Sequence, residues 1–133
     1  QAFAELSNPV QLLFFGSKES CDYCAETQQL LTEISEVESR LHLSIHDLNE
    51  DAALAAQYRV DKAPVIVIAS KNGEKTMDLG VQFAGIPAGY EFSTLINDIL
   101  LASKGTTGLG AATREFLQTL TKPLHLQVFV TPT

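Results

Sequence analysis

Val10-Gln11-Leu12-Leu13-Phe14-Phe15-Gly16-Ser17-Lys18-Glu19-Ser20-Cys21-Asp22-Tyr23-Cys24 carries an apolar run into a loop that ends on the only two cysteines of the 133-residue chain. The run Val10–Gly16 is short, apolar and bounded, the pattern of a central strand buried on both faces. From about Asp22 to Arg40 the pattern turns helical. Leu30, Ile34, Val37 and Leu41 recur at spacings of 4, 3 and 4, with Glu33, Glu36 and Glu38 as the exposed face. The cysteine pair therefore sits where a strand-to-helix loop enters a helix.

Outward from this unit the periods alternate. Residues 41–48 alternate strictly, which predicts a strand with one face more polar than the other. Asn49-Glu50-Asp51 opens an alanine-rich helix through Tyr58, and Pro64 precedes the apolar strand 65–69. Lys71-Asn72-Gly73 predicts a hairpin turn returning through Met77 to Phe83. Gly89-Tyr90 starts a helix with Phe92, Leu95, Ile96 and Ile99 inward, and residues 2–6 read as the end of an N-terminal helix stopped by Pro9. The expected fold is α/β: two parallel strands joined by a right-handed crossover, then a hairpin, in a small mixed sheet flanked by helices.

Residues 104–110 read as a linker, small-residue and glycine-rich without periodicity. Beyond them Leu120, Pro123, Leu126 and Phe129 repeat Leu6, Pro9, Leu12 and Phe15 at a constant offset. A helix stopped by proline and followed by an apolar strand thus occurs twice, which points to an internal repeat. The expected division is a unit over 1–103, a linker over 104–110, and over 111–133 the helix and first strand of a second, truncated unit.

Composition narrows the function. With 45% hydrophobic and 19% charged residues, a domain of this length buries a core without disulfide staples. A net charge of -7 argues against nucleic acid and anionic membranes as partners. No apolar run has the length of a membrane span. The cytoplasm is the default compartment.

Three readings of Cys21-x-x-Cys24 compete. Metal would need His42 and His46 as further ligands, but four residues along a strand separate them by roughly 13 Å, too far to share one ion. A structural staple this short removes little chain entropy. Redox chemistry has a positive mechanism: unpaired N–H groups and the helix dipole at a helix N-terminus favour thiolate. Cys21, nearer the loop, is then the nucleophile, and Cys24, one turn deeper, resolves the mixed disulfide. Asp22, beside Cys21, opposes thiolate formation. Both histidines read as solvated strand residues, Lys62 as a solvated lysine.

A strand, C-x-x-C opening a helix, a second β-α unit and a proline before a β-hairpin resemble the thioredoxin/glutaredoxin fold. More narrowly, Cys21–Cys24, Tyr58–Pro64, Phe83–Phe92 and Val128–Thr133 resemble the two-unit protein disulfide oxidoreductases, which carry tandem thioredoxin-fold units. That resemblance implies thiol–disulfide exchange with protein disulfides and dithiols, without metal or organic cofactor, and a reductase protein similar to thioredoxin reductase as electron donor. It implies a cis bond before Pro64, with the Ala63 backbone pairing with an extended substrate; Tyr23 reads as a surface or substrate-contact ring. The acidic pair that binds glutathione in glutaredoxins is absent after Gly85. Two alternatives remain: a relay module like the N-terminal domain of alkyl hydroperoxide reductase flavoproteins, and a substrate-binding unit whose main redox site lies in a second unit. The unpaired strand in 111–133 adds an expected homodimer contact.

Overall fold

The computed structural model describes Phe3 and residues 6–131. The N-terminal helix expected over 2–6 falls largely outside them. At its edge, the Leu6 N–H donates to the Phe3 carbonyl at 3.1 Å. Strand β1 (Val10–Gly16) is buried along its whole length, as an apolar run without alternation requires. Helix α1 (Cys24–Glu36) carries the chain across to β2 (Leu41–Asp47), which pairs in parallel with β1 from Val10↔Leu41 to Gly16↔Asp47. Helix α2 (Ala52–Gln57) leads to β3 (Val65–Asn72), antiparallel to β1, and β4 (Lys75–Ala84) returns beside it. The sheet order is β2-β1-β3-β4, the expected small mixed sheet. Helix α3 (Tyr90–Lys104) closes the unit, and α4 (Ala111–Gln118) follows.

Because β1 and β3 are covered on both faces, their alternate side chains feed two cores. Leu12, Phe14, Ile66 and Ile68 pack with Leu31 and Ile34 of α1 and with Leu95 and Ile99 of α3. Leu13, Phe15, Val65 and Val67 pack on the other face with Ala55, Tyr58 and Val60. Each fully buried side chain of this size contributes about 1.5–3 kcal/mol, so the sheet centre is the rigid base on which the loops stand.

Four local expectations are corrected. The buried stripe of α1 is Thr27, Leu31 and Ile34, with Cys24 against the same core, while Val37 lies beyond the helix and is exposed. Thr27 is admitted because its hydroxyl donates to the Tyr23 carbonyl at 2.6 Å, so a polar residue serves as an inward position. Glu38 also lies past the helix end, ion-paired with Arg40 rather than on an exposed helical face. The hairpin turn is Gly73-Glu74, closed by the Asn72↔Lys75 pair, with Gly73 at a φ of 60°. The stripe of α3 is Leu95, Ile99, Ala102 and Ser103, with Phe92 at the rim.

The repeated segment divides in its outcome. Its helix forms as α4, but residues 120–131 join no strand, and Leu126, Val128 and Phe129 are exposed. A strand exists only where neighbours satisfy its N–H and C=O groups. The matching strand β1 has two such neighbours, and 124–130 pairs with neither edge of the sheet.

Candidate redox site

The strand registers gather the functional loops at one end of the sheet. β1 ends at Gly16 opposite Asp47, the last residue of β2. Phe15 faces Val65, where β3 begins, and Val65 in turn faces Ala84, where β4 ends. The cysteine loop, the turn before α2, the loop before Pro64 and the loop after Ala84 therefore share this end.

Cys21 and Cys24 are joined as a disulfide, with Cα atoms 5.5 Å apart. Cys24 is the first residue of α1 rather than a turn inside it, because Tyr23 is the cap. Tyr23 adopts a φ of 67°, a conformation rare outside glycine, which reverses the chain between the two cysteines. Its carbonyl accepts the Thr27 N–H at 2.9 Å as well as the Thr27 hydroxyl, which secures the first turn. The Tyr23 ring itself is exposed. Cys24 is half-buried against the α1–α3 core, and Cys21 is half-buried at the loop edge. Directly beneath, a side chain on Gly16 would place its Cβ 3.0 Å from a Phe14 ring carbon and 3.5 Å from Cys24 Sγ. The strand end is thus a glycine where the Phe14 ring needs the room, with Cys24 Sγ at ordinary contact distance.

The Ala63–Pro64 peptide bond is cis, Pro64 is buried and Ala63 is half-buried. The Pro64 carbonyl accepts the Gly85 N–H at 2.9 Å, which ties this loop to the one after β4. A shallow groove runs from here beside α1, walled by Glu26, Leu30, Ile86, Pro87 and Phe92. Lys62 pairs with neighbouring Asp61, so its charge is offset locally.

Sequence reading missed two groups. His46 is not a solvated strand residue: its ring lies 5.3 Å from that of Phe15, Nε2 meets Ser44 Oγ at 2.9 Å, and Nδ1 lies 3.6 Å from an Asp51 carboxylate oxygen. Asp47 accepts the N–H groups of Lys18, Asn49 and Glu50. The available signal for Asp47 was an aspartate at a strand end before Asn49, the Asx-turn pattern. Among the described residues no cluster of three or more His, Cys, Asp or Glu could hold a metal ion. None of the described helices is long and apolar enough to cross a membrane.

Among solved structures, a protein disulfide oxidoreductase from Aeropyrum pernix k1 superposes with a TM-score of 0.78 at 29% identity, covering 90% of this chain and 50% of that one. A thioredoxin from Trichomonas vaginalis superposes at 0.54 with 24% identity, covering 70% of this chain and 78% of that one. The fold is that of thioredoxin. The N-terminal domain of alkyl hydroperoxide reductase AhpF from Enterococcus faecalis superposes at 0.78 with 26% identity, over 91% of this chain and 56% of that one. In sequence, the alkyl hydroperoxide reductase AhpF of Staphylococcus aureus is 31% identical over 120 residues, 90% of this chain and 20% of that protein. The chain thus spans about a fifth of the length of the curated relatives it matches. No family model matches the chain.

Proposed function

We propose that this chain is a dithiol–disulfide exchange unit acting on protein disulfides. The observation that carries the reading is the Cys21–Cys24 disulfide at the start of α1, at the sheet end that also holds the cis Ala63–Pro64 bond. In the reducing direction the Cys21 thiolate attacks one sulfur of a substrate disulfide, and a mixed disulfide forms as the other substrate sulfur leaves and takes a proton. The Cys24 thiolate then attacks Cys21, the intramolecular bond closes, and the second substrate sulfur leaves. Two electrons pass to the substrate, and a reductase protein restores the dithiol. Tyr23 and the Ala63 backbone flank the exchanging sulfurs and hold the substrate segment, with Pro64 fixing that backbone. Neither metal nor organic cofactor enters the cycle.

Insulin reduction with dithiothreitol tests the reading. Cys21→Ser abolishes catalysis, whereas Cys24→Ser accumulates mixed disulfide with substrate. Reduction that proceeds equally without Cys21 overturns it.

The match to the alkyl hydroperoxide reductase AhpF favours a second reading, an electron relay between a neighbouring redox unit and a partner. The relay predicts slow insulin turnover and fast exchange with a joined second unit. Residues 1–103 are then the redox unit, 104–110 the linker and 111–133 the opening of a second thioredoxin unit. The exposed Leu126, Val128 and Phe129 support this division. The same segment offers a homodimer contact, and the cytoplasm is the compartment whose reducing poise suits the cycle.

A further inference from the structure

The loop 17–23 that delivers Cys21 is pinned to the sheet between its two ends. Asp47 Oδ2 accepts the Lys18 backbone N–H at 2.9 Å, and Oδ1 accepts those of Asn49 and Glu50 at 2.9 and 3.1 Å. One carboxylate thereby joins the cysteine loop to the turn that precedes α2. The junction is reinforced on both sides. Leu48 N–H donates to the Gly16 carbonyl at 2.9 Å, and Lys18 Nζ reaches both Glu50 oxygens at 2.7 and 2.6 Å. The Asp47 N–H in turn donates to Asp51 Oδ2 at 2.9 Å, the oxygen that faces His46. The N–H donors of Glu50, Asn49 and Lys18 hold the Asp47 carboxyl below the ordinary carboxylate range, so it remains an anionic acceptor at neutral pH.

We propose that Asp47 is a positioning residue for the Cys21–Cys24 couple, acting through the Lys18 backbone. Without this bond only the exposed Lys18–Glu50 ion pair ties residues 17–22 to the sheet, Tyr23 being held by Thr27; with it, the free segment shortens to 19–22. A shorter free segment leaves the reduced dithiol less conformational freedom to lose when the sulfurs join, which raises the effective concentration of one thiol at the other. Releasing Lys18 makes the disulfide easier to reduce. The inference rests on the redox reading of the pair.

The test is Asp47→Asn, measured by equilibration with dithiothreitol. In that equilibrium, Cys21 and Cys24 release two electrons and two protons as their S–S bond forms, and oxidised dithiothreitol takes them up to become the dithiol. The asparagine carbonyl still accepts the Asn49 and Glu50 N–H groups, but its NH2 faces the Lys18 N–H, donor against donor. The constant for disulfide formation falls about twofold, the ratio of a six- to a four-residue segment raised to the 3/2 power, which is about 9 mV at 29.6 mV per tenfold. Glu50→Gln, which weakens only the exposed Lys18 side-chain pair, changes it less than about 1.5-fold. Hydrogen exchange supplies a second measurement on the unmodified protein: the Lys18 amide is protected, against the free exchange expected of an unpinned loop.

A folded Asp47→Asn protein whose constant stays within about 1.5-fold of the original overturns the proposal, even if its melting temperature falls. An unprotected Lys18 amide does so too. If the unmodified couple never equilibrates with dithiothreitol, the redox reading itself is refuted. If it equilibrates and only the Asp47→Asn shift is missing, the positioning role alone is refuted.

Discussion

Ser103 is 1% exposed in the last turn of α3, yet it is a serine. Its Oγ accepts the N–H groups of Ser7 and Asn8, both at 2.8 Å, and donates to the Asn8 carbonyl at 2.6 Å. The Asn8 amide closes the ring by donating to the Ser103 carbonyl at 2.8 Å. These bonds fasten α3 to the segment that enters β1, across 95 and 96 residues of chain. Ser103→Ala removes three bonds at once, each worth about 0.5–1.5 kcal/mol net. Ser7 and Asn8 are exposed, so water reaches the freed groups and the low end of that range applies. Alanine returns at most about 0.7 kcal/mol through its better helix propensity. The net expected loss is about 1 kcal/mol, or a fall in melting temperature on the order of 5 °C for a unit of this size. Urea denaturation measures it, and Asn8→Ala tests the fourth bond, from the Asn8 amide to the Ser103 carbonyl, which Ser103→Ala leaves in place. A fall below about 0.5 kcal/mol refutes the clamp.

Gly16→Ala sets a methyl 3.0 Å from a ring carbon of buried Phe14, so it destabilises by about 1–3 kcal/mol, lowering the urea midpoint and the melting temperature. A mutant with both unchanged contradicts the contact. Glu38 is held at a pKa of about 2, below its ordinary 4.5, chiefly by the Arg40 side chain and then by the Arg40 N–H. Its contribution is complete above pH 4.5 and is lost as pH falls through about 2, so Glu38→Gln flattens the stability profile across that window in acid denaturation. An unchanged profile rejects the pairing. The exposed Leu126, Val128 and Phe129 drive concentration-dependent association, which sedimentation detects and Val128→Lys with Phe129→Lys abolishes. A chain that sediments as a monomer at every concentration counts against the homodimer contact.

The strands were legible because burial on both faces leaves a local mark: β1 and the first part of β3 are apolar without interruption, and β2 at the edge alternates. The helices were legible in place but not in facing. Thr27 and Ser103 are inward positions occupied by hydroxyls whose partners make them tolerable, and an apolar-stripe search passes over them. It settles instead on Val37, which is apolar and outside the helix. Gly80, at a φ of 71°, serves the register shift between Ile68 and Ala69 in the β3–β4 pair, where Leu79 and Gly80 have no partner on β3.

At the site the same division separates reacting atoms from what governs them. Cys21 and Cys24 are neighbours along the chain, so their pairing is written in a spacing of three. Lys18 and Asp47 meet across 29 residues, and only the parallel register of β1 with β2 brings them together. The cis bond before Pro64 leaves no local trace either, since the proline alone favours trans, and only the likeness to a known fold anticipated it. Chemistry that depends on adjacent residues is readable from a single sequence. The reactivity of those residues depends on groups supplied by other strands, and it becomes readable only once the topology has been built.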